Sequence, residues 1–489
     1  MPHDLVLAGG RVVDPETGFD RVCDVGIDRG SVTALGDRLD GVTTVDTGGL
    51  VVAPGFVDLH SHAQTLPGRR LQACDGVTTA LDLEAGRAPV ELAYAREERR
   101  GSPINYGFSA SWAAARMHVL ADGPLDGGAM AVFGGLVGTE WQQAATAGEV
   151  ARILDLISTD LAAGAVGVGL LVGYAPGVDP SEYLAVAELA AAAGVPTFTH
   201  SRDIVELAPE TLIDGAEEVV RAAGETGAHM HYCHINSTSG RHIDRVLALV
   251  GRCQEEGSRV TTEAYPYGSG STAIGAAFLA PERLRERFRD TTSITYLRTG
   301  ERIADDERLR ELRTADPGGL VIAEFFDESE PGDAALLRRS LSFPHAIVAS
   351  DGMPPMWTET AGMDVTTWPL PPHVVTHPRT AGTFGRALRL WRQEGAPLME
   401  AVRRATLLPV EVLQGAVPAM RRKGRVQPGT DADLVVFDDA HVTDQATYLD
   451  STRPSSGIAH VIVGGTFVVR DGQLVPYALP GKPVRASPR

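Results

Sequence analysis

Lysine is almost missing from this chain. Its 489 residues include only Lys423 and Lys482, both near the C-terminal end, against many arginines. That scarcity removes a strand-borne amine from the chemistry open to an active site. Cysteine is scarce too. Cys23, Cys74, Cys233 and Cys253 are widely spaced, with no CxxC pair and no disulfide framework, so reduced, buried thiols are expected. Cys74 and Cys233 are read as core thiols, with Cys233 facing away from its neighbour His234. No apolar run reaches the ~18 residues of a membrane span. Met1-Pro2-His3-Asp4-Leu5 lacks a basic region followed by an apolar stretch, so no secretory signal is visible and a cytoplasmic location is expected. The formal net charge is -19, which argues against nucleic acid, because phosphate binding needs clustered Lys and Arg. The acidity serves solubility, and one local arginine can still hold an anionic small molecule.

Hydrophobic residues make up 43% of the chain, enough for a large core. Residues 4–52 show short strand-like runs, such as Leu5-Val6-Leu7-Ala8 and Val12-Val13, divided by turn signals. Residues 425–475 look alike, with Gly464-Gly465 as a hairpin turn. The middle alternates strand-like runs with helical ones, including Ser181 to Ala193 after Pro180 and Asp214 to Ala223. The pattern predicts an α/β chain: a TIM-like (β/α)8 barrel over 55–424, with a small β-sandwich domain formed from both chain termini, 1–54 and 425–478. The charged stretch 282–340 reads as a lid insertion over the barrel mouth, and Gly481 to Arg489 as a loose tail.

The sharpest local signal is Pro54-Gly55-Phe56-Val57-Asp58-Leu59-His60-Ser61-His62. Two histidines at i and i+2 on a strand share one face, so both imidazoles can reach one ion. His200, His234 and Asp351 each end a strand-like run, where a TIM barrel carries its active site. Imidazoles and a carboxylate converging there suit a divalent, zinc-like ion with a position left for water.

This order and spacing resembles the amidohydrolase superfamily. Further stretches look like its N-acyl-D-amino-acid deacylase branch: Gly76-Val77-Thr78-Thr79, Tyr265-Pro266-Tyr267, Ser350-Asp351-Gly352, His377-Pro378-Arg379-Thr380 and Ala432 through Asp438. The resemblance covers nearly the whole chain except 282–340. It implies one or two Zn2+ ions per site, with His60 and His62 at one position and His200 and His234 at the other. Asp351 would touch the first ion and carry the proton between a metal-activated water and the leaving amine. Many relatives bridge the ions with a carboxylated lysine, and neither lysine here lies on a barrel strand. The deacylase branch uses a cysteine after its second strand. Ala80-Leu81-Asp82-Leu83-Glu84-Ala85-Gly86 has none, so Glu84 is taken as the bridge, with Asp82 on the same face in reserve.

The resemblance also implies the substrate contacts. Arg379 would anchor a carboxylate with its guanidinium fork. Tyr265, Ser271 and Tyr174 match the family's other recognition positions. Asn236 stands where the family has a lysine, and Arg202 is the candidate to replace that charge. His229 and His231 are read as structural, and His377 as shaping its loop. The expected partner is a small-molecule amide substrate, with no nucleic acid and no membrane; a homo-oligomer fits a chain of this type. Two other functions stay open: hydrolysis of a cyclic amide (hydantoin, lactam or imide), and a non-catalytic barrel kept for binding. The retained ligand set speaks against the second.

Overall fold

The computed structural model describes residues 1–126, 128–288, 290–359 and 363–487. Eight strands make one sheet: β1 (Phe56–Asp58), β2 (Val77–Arg87), β3 (Asn105–Ser111), β4 (Val168–Leu171), β5 (Thr197–His200), β6 (Met230–Tyr232), β7 (Val260–Ala264) and β8 (Ile347–Val348). They lie in the order β8-β7-β6-β5-β4-β3-β2-β1, a nearly closed parallel barrel. β2 is buried at every position but Arg87, and β3 throughout. Such strands show no polar alternation, because a parallel sheet is covered on both faces. Beyond β1, Ser61 bridges Gly352 in parallel and the His62 amide donates to the Gly352 carbonyl at 2.8 Å.

The crossovers are helices with legible ends. Asp179 caps Pro180–Ala192 through the Ser181 amide. Asp214 accepts from the Ala216 and Glu217 amides at the start of Gly215–Thr226, and Gly227 closes that helix at φ +70. No helix among the described residues is long and apolar enough to cross a membrane.

The terminal strands form one nine-stranded mixed sheet. His3–Asp14 is its spine, antiparallel to Phe19–Asp28 and parallel to both Gly41–Asp46 and Val51–Pro54. Val51–Pro54 pairs antiparallel with Leu434–Phe437, which joins the two ends of the chain. Leu5, Leu7, Val25, Ile27, Val52, Leu434 and Val436 meet in one apolar core. Lys423 is buried beside this sheet between Asp433 (2.5 Å) and Asp431 (3.1 Å). Burial pulls its pKa down, but the two carboxylates more than offset that and leave it raised.

By contacts the chain divides into two compact units: one holds 1–81, 96–107 and 347–485, the other 82–95 and 108–346 with the last residues. β2 and β3 run unbroken from the first into the second.

Between β7 and β8 the chain leaves the barrel, and the 282–340 region contributes strands to a separate four-stranded sheet. Ile294–Tyr296 and Leu320–Glu324 join an antiparallel sheet whose edge strand, Ser269–Ala273, starts before it. Its charges go into surface pairs such as Arg308–Glu301 and Arg310–Glu282. One expectation needs correction: the tail is not loose. The Lys482 amide donates to Asn105 Oδ1 at 3.0 Å, the Val484 amide donates to the Tyr106 carbonyl at 2.7 Å, and Val484 is buried. Residues 488–489 lie outside the described residues.

Candidate functional site

In the first unit, His60 and His62 sit just past the end of β1, both buried. Their Nε2 atoms are 3.2 Å apart, and Asp351 Oδ1 lies 3.5 Å from His60 Nε2 and 3.6 Å from His62 Nε2. Ligands held tetrahedrally at ~2.1 Å stand roughly 3.4 Å from one another, so this spacing suits one zinc-sized ion. Asp351 sits at φ +47, a backbone state that non-glycine residues seldom adopt and that clusters at functional positions. Its other oxygen, Oδ2, receives Arg379 Nη2 at 3.0 Å. Arg379 is fully buried at the first turn of Arg379–Gln393, and its amide donates to His377 Nδ1 at 3.1 Å.

Asp58 ties this group together. Its Oδ1 accepts from the His60 amide (3.2 Å) and the Ser350 amide (3.0 Å). Its Oδ2 accepts from Gln72 Nε2 (2.8 Å) and Ser350 Oγ (2.5 Å). One buried carboxylate therefore fixes the end of β1 to the loop that carries Asp351.

In the second unit, Glu84 Oε1 lies 3.1 Å from His200 Nδ1 and 2.7 Å from His234 Nε2. All three are buried, with donor atoms close enough to hold a metal ion. Asp82, two residues earlier, pairs with Arg87 instead, so Glu84 is the acid of β2 that faces imidazoles. Burial pushes His200 down to about 4, partly opposed by Glu84, which leaves a neutral imidazole at pH 7. Its Nε2 is buried with no hydrogen-bond partner. His234 follows β6 at φ +32.

The predicted recognition residues fall as follows. Tyr174 packs its ring 4.6 Å from that of His200 and bonds Thr272 Oγ1 at 2.8 Å. Tyr265 follows β7, 6.4 Å ring to ring from His234, and its carbonyl accepts from Asn236 Nδ2 at 3.1 Å. Ser271 is in the antiparallel strand, opposite Ile322. Arg202 turns to the helix Gly215–Thr226, where its Nε meets Glu218 Oε2 at 2.8 Å; its charge is already answered.

Sequence reasoning missed Asp58, Gln72 and Glu263. Asp58 stood in plain view in the motif, and an acid on a strand buried on both faces must be spoken for. Glu263, on β7, accepts from His231 Nε2 (3.0 Å) and the His234 amide (3.4 Å). His231 is fully buried and also meets Thr261 Oγ1 at 2.8 Å. Cys233 does not turn away as expected: its thiol comes within 4.8 Å of a Glu263 oxygen. Alternation of faces holds only for extended chain, and the left-handed turn at His234 ends it.

The sequence model of the amidohydrolase family matches residues 43–469. The chain belongs to the amidohydrolase family. This amidohydrolase is similar to the D-aminoacylase of Alcaligenes xylosoxydans xylosoxydans, 29% identical over 95% of this chain and 94% of that one. It is equally similar, at 29%, to the N-acyl-D-glutamate deacylase of the same organism, over 99% and 96%. Among solved structures, an N-acyl-D-glutamate deacylase from Bordetella bronchiseptica, complexed with zinc and a phosphonate inhibitor, superposes with a TM-score of 0.75 at 25% identity, covering 99% of this chain and 100% of that one. A D-aminoacylase crystal structure gives 0.77 at 24% identity over 99% and 100%, a likeness of fold. This amidohydrolase is a hydrolase of carbon–nitrogen bonds other than peptide bonds.

Proposed function

We propose that this amidohydrolase is an N-acyl-D-amino-acid deacylase that releases a carboxylate-bearing amino acid from its acyl group. The observation that carries the reading is the buried Arg379–Asp351 pair beside His60 and His62. It sets a fork for a substrate carboxylate next to a carboxylate able to move a proton. The names of the similar relatives support the D configuration.

His60, His62 and Asp351 would hold one divalent ion, and His200 and His234 the other, with Glu84 as the bridge. Zinc at this site would polarise the scissile carbonyl and make water nucleophilic near neutral pH. Asp351 then takes the proton from the attacking water and delivers it to the leaving nitrogen. Arg379 holds Asp351 Oδ2 and so fixes the carboxylate with Oδ1 toward His60 and His62. Tyr265, Ser271, Asn236 and Tyr174 orient the amino-acid end. Arg202, balanced by Glu218, supports them from behind. In this reading 55–424 is the catalytic domain and 1–54 with 425–478 its discontinuous companion.

One observation favours a second reading. Asn236 replaces a family lysine and spends its amide on the Tyr265 carbonyl, which lowers the demand for an anionic group there. Hydrolysis of a cyclic amide such as a hydantoin follows from that. Metal content and turnover of N-acetyl-D- and L-amino acids and hydantoin, before and after chelation and zinc re-addition, decide. D-selective acetate release lost and regained with zinc supports the deacylase. Hydantoin turnover alone moves the function to cyclic amides, and a folded, metal-free protein that turns over nothing refutes both.

A further inference from the structure

The second unit contains a cavity of about 320 Å³ that none of the metal-group or recognition residues named so far lines. Its walls include Gly86, Ala114, Met117, Leu125, Val132 and Trp141. Arg87 is the charged group at its edge, and Asp82 already neutralises it. The rest of the lining is apolar or glycine, with backbone as its main polar content. The size lies at the lower end of ligand pockets, room for a short aliphatic chain and little more.

Its place in the fold gives it a meaning. Gly86 is two residues beyond Glu84 on β2, about 7 Å along the strand. It takes φ +66, and a Cβ there would lie 2.6 Å from Ser109 Oγ, so only glycine fits between this wall and β3. Ala114 and Met117 belong to the helix Trp112–Ala121, which follows β3 directly. The cavity thus lies past the C-terminal ends of β2 and β3, the end of a barrel that binds substrate. Tyr265 and Ser271 follow β7. β3 and β7 are four places apart in an order of eight, hence on opposite sides of the ring. A substrate whose carboxylate end lies toward Tyr265 and Ser271 can extend its acyl end, past Tyr174 at the end of β4, toward β2 and β3.

We propose that this cavity is an acyl-chain subsite, and that the preferred substrates carry a medium-length straight acyl group, of roughly six to ten carbons, in place of acetyl. The inference rests on the deacylase reading and names its substrate class. Each methylene drawn from water into such a wall favours binding several-fold. Val132→Trp fills the space from a wall residue outside the catalytic and metal groups, and Ala114→Phe does so from another wall.

The test compares kcat/KM for N-acetyl-, N-hexanoyl- and N-octanoyl-D-amino acids on zinc-loaded wild type and both variants. We expect wild type to favour octanoyl over acetyl by about tenfold or more, and the preference to fall close to one in a variant that keeps its acetyl activity. Octanoate binding by calorimetry gives a readout independent of turnover and should be lost in Val132→Trp. Acetyl turnover with no gain for longer chains overturns the subsite and leaves the deacylase standing. So does octanoate binding unchanged in both variants. No turnover of any N-acyl amino acid, with hydantoin cleaved, overturns the deacylase reading and the subsite with it.

Discussion

Replacing Asp58 by asparagine changes one atom and should disturb both stability and metal binding. The carboxylate accepts four hydrogen bonds: from the His60 and Ser350 amides, Gln72 Nε2 and Ser350 Oγ. An asparagine oxygen can keep the two amides, but its NH2 then meets two donors. Each charge-assisted bond is worth about 1.5–3 kcal/mol. The Ser350 hydroxyl and the Gln72 amide can both rotate and recover part of that, so a net loss of about 3 kcal/mol is expected. The consequence for the metal group is separate. Asp58 fixes the backbone on either side of the His60–Asp351 contact, and partners that orient ligands typically govern affinity by ~10–100-fold. Thermal melting measures the first effect; metal retained after dialysis against a graded chelator measures the second. A variant that melts as wild type does and keeps its metal at the same chelator strength would refute the positioning role.

Three further outcomes are expected. Glu84→Ala should lower bound metal by about one equivalent and kcat/KM by ~100-fold, by elemental analysis and kinetics; full metal content would remove Glu84 from the bridge. Arg379→Lys keeps the charge but loses the planar fork, so KM for carboxylate-bearing substrates should rise by roughly tenfold. A fall in kcat with KM unchanged would assign Arg379 to Asp351 alone. Burial pushes the Asp75 carboxyl up to about 7, although Ser455 and the Gly385 and Phe384 amides stabilise the anion. The folded state therefore binds this proton more tightly than the unfolded chain does. Its contribution is complete below about pH 4 and is lost as pH rises through about 7. Melting curves of wild type and Asp75→Asn across that window should differ in slope, and parallel curves would contradict the assignment.

The sequence made the barrel and its chemistry readable where residue type and spacing are both demanding. His60 and His62 flanking one residue, and His200, His234 and Asp351 closing apolar runs, leave few alternatives. What stayed hidden depends on pairing across long separations. Asp58 meets Ser350 across 292 residues, and the tail meets Asn105 across 377. Local pattern carries no trace of either. Gly9-Gly10 read as a break between two strands; the chain runs straight through as His3–Asp14, with Gly9 at φ +70 in an irregularity between Leu7 and Gly10. β2 carries Asp82 and Glu84 through a stretch buried on both faces, and only their distant partners, Arg87 and the two imidazoles, explain two acids there.

The two lysines bear on handling. Lys423 is enclosed by Asp431 and Asp433 with its pKa raised, so it stays protonated and out of reach of electrophiles at neutral pH. Lys482 is exposed, on a segment whose backbone is pinned to Asn105 and Tyr106. Amine-reactive dyes, biotin esters and aldehyde resins should therefore couple at one side chain besides the α-amine. That confines tethering to two attachment points without any engineered tag.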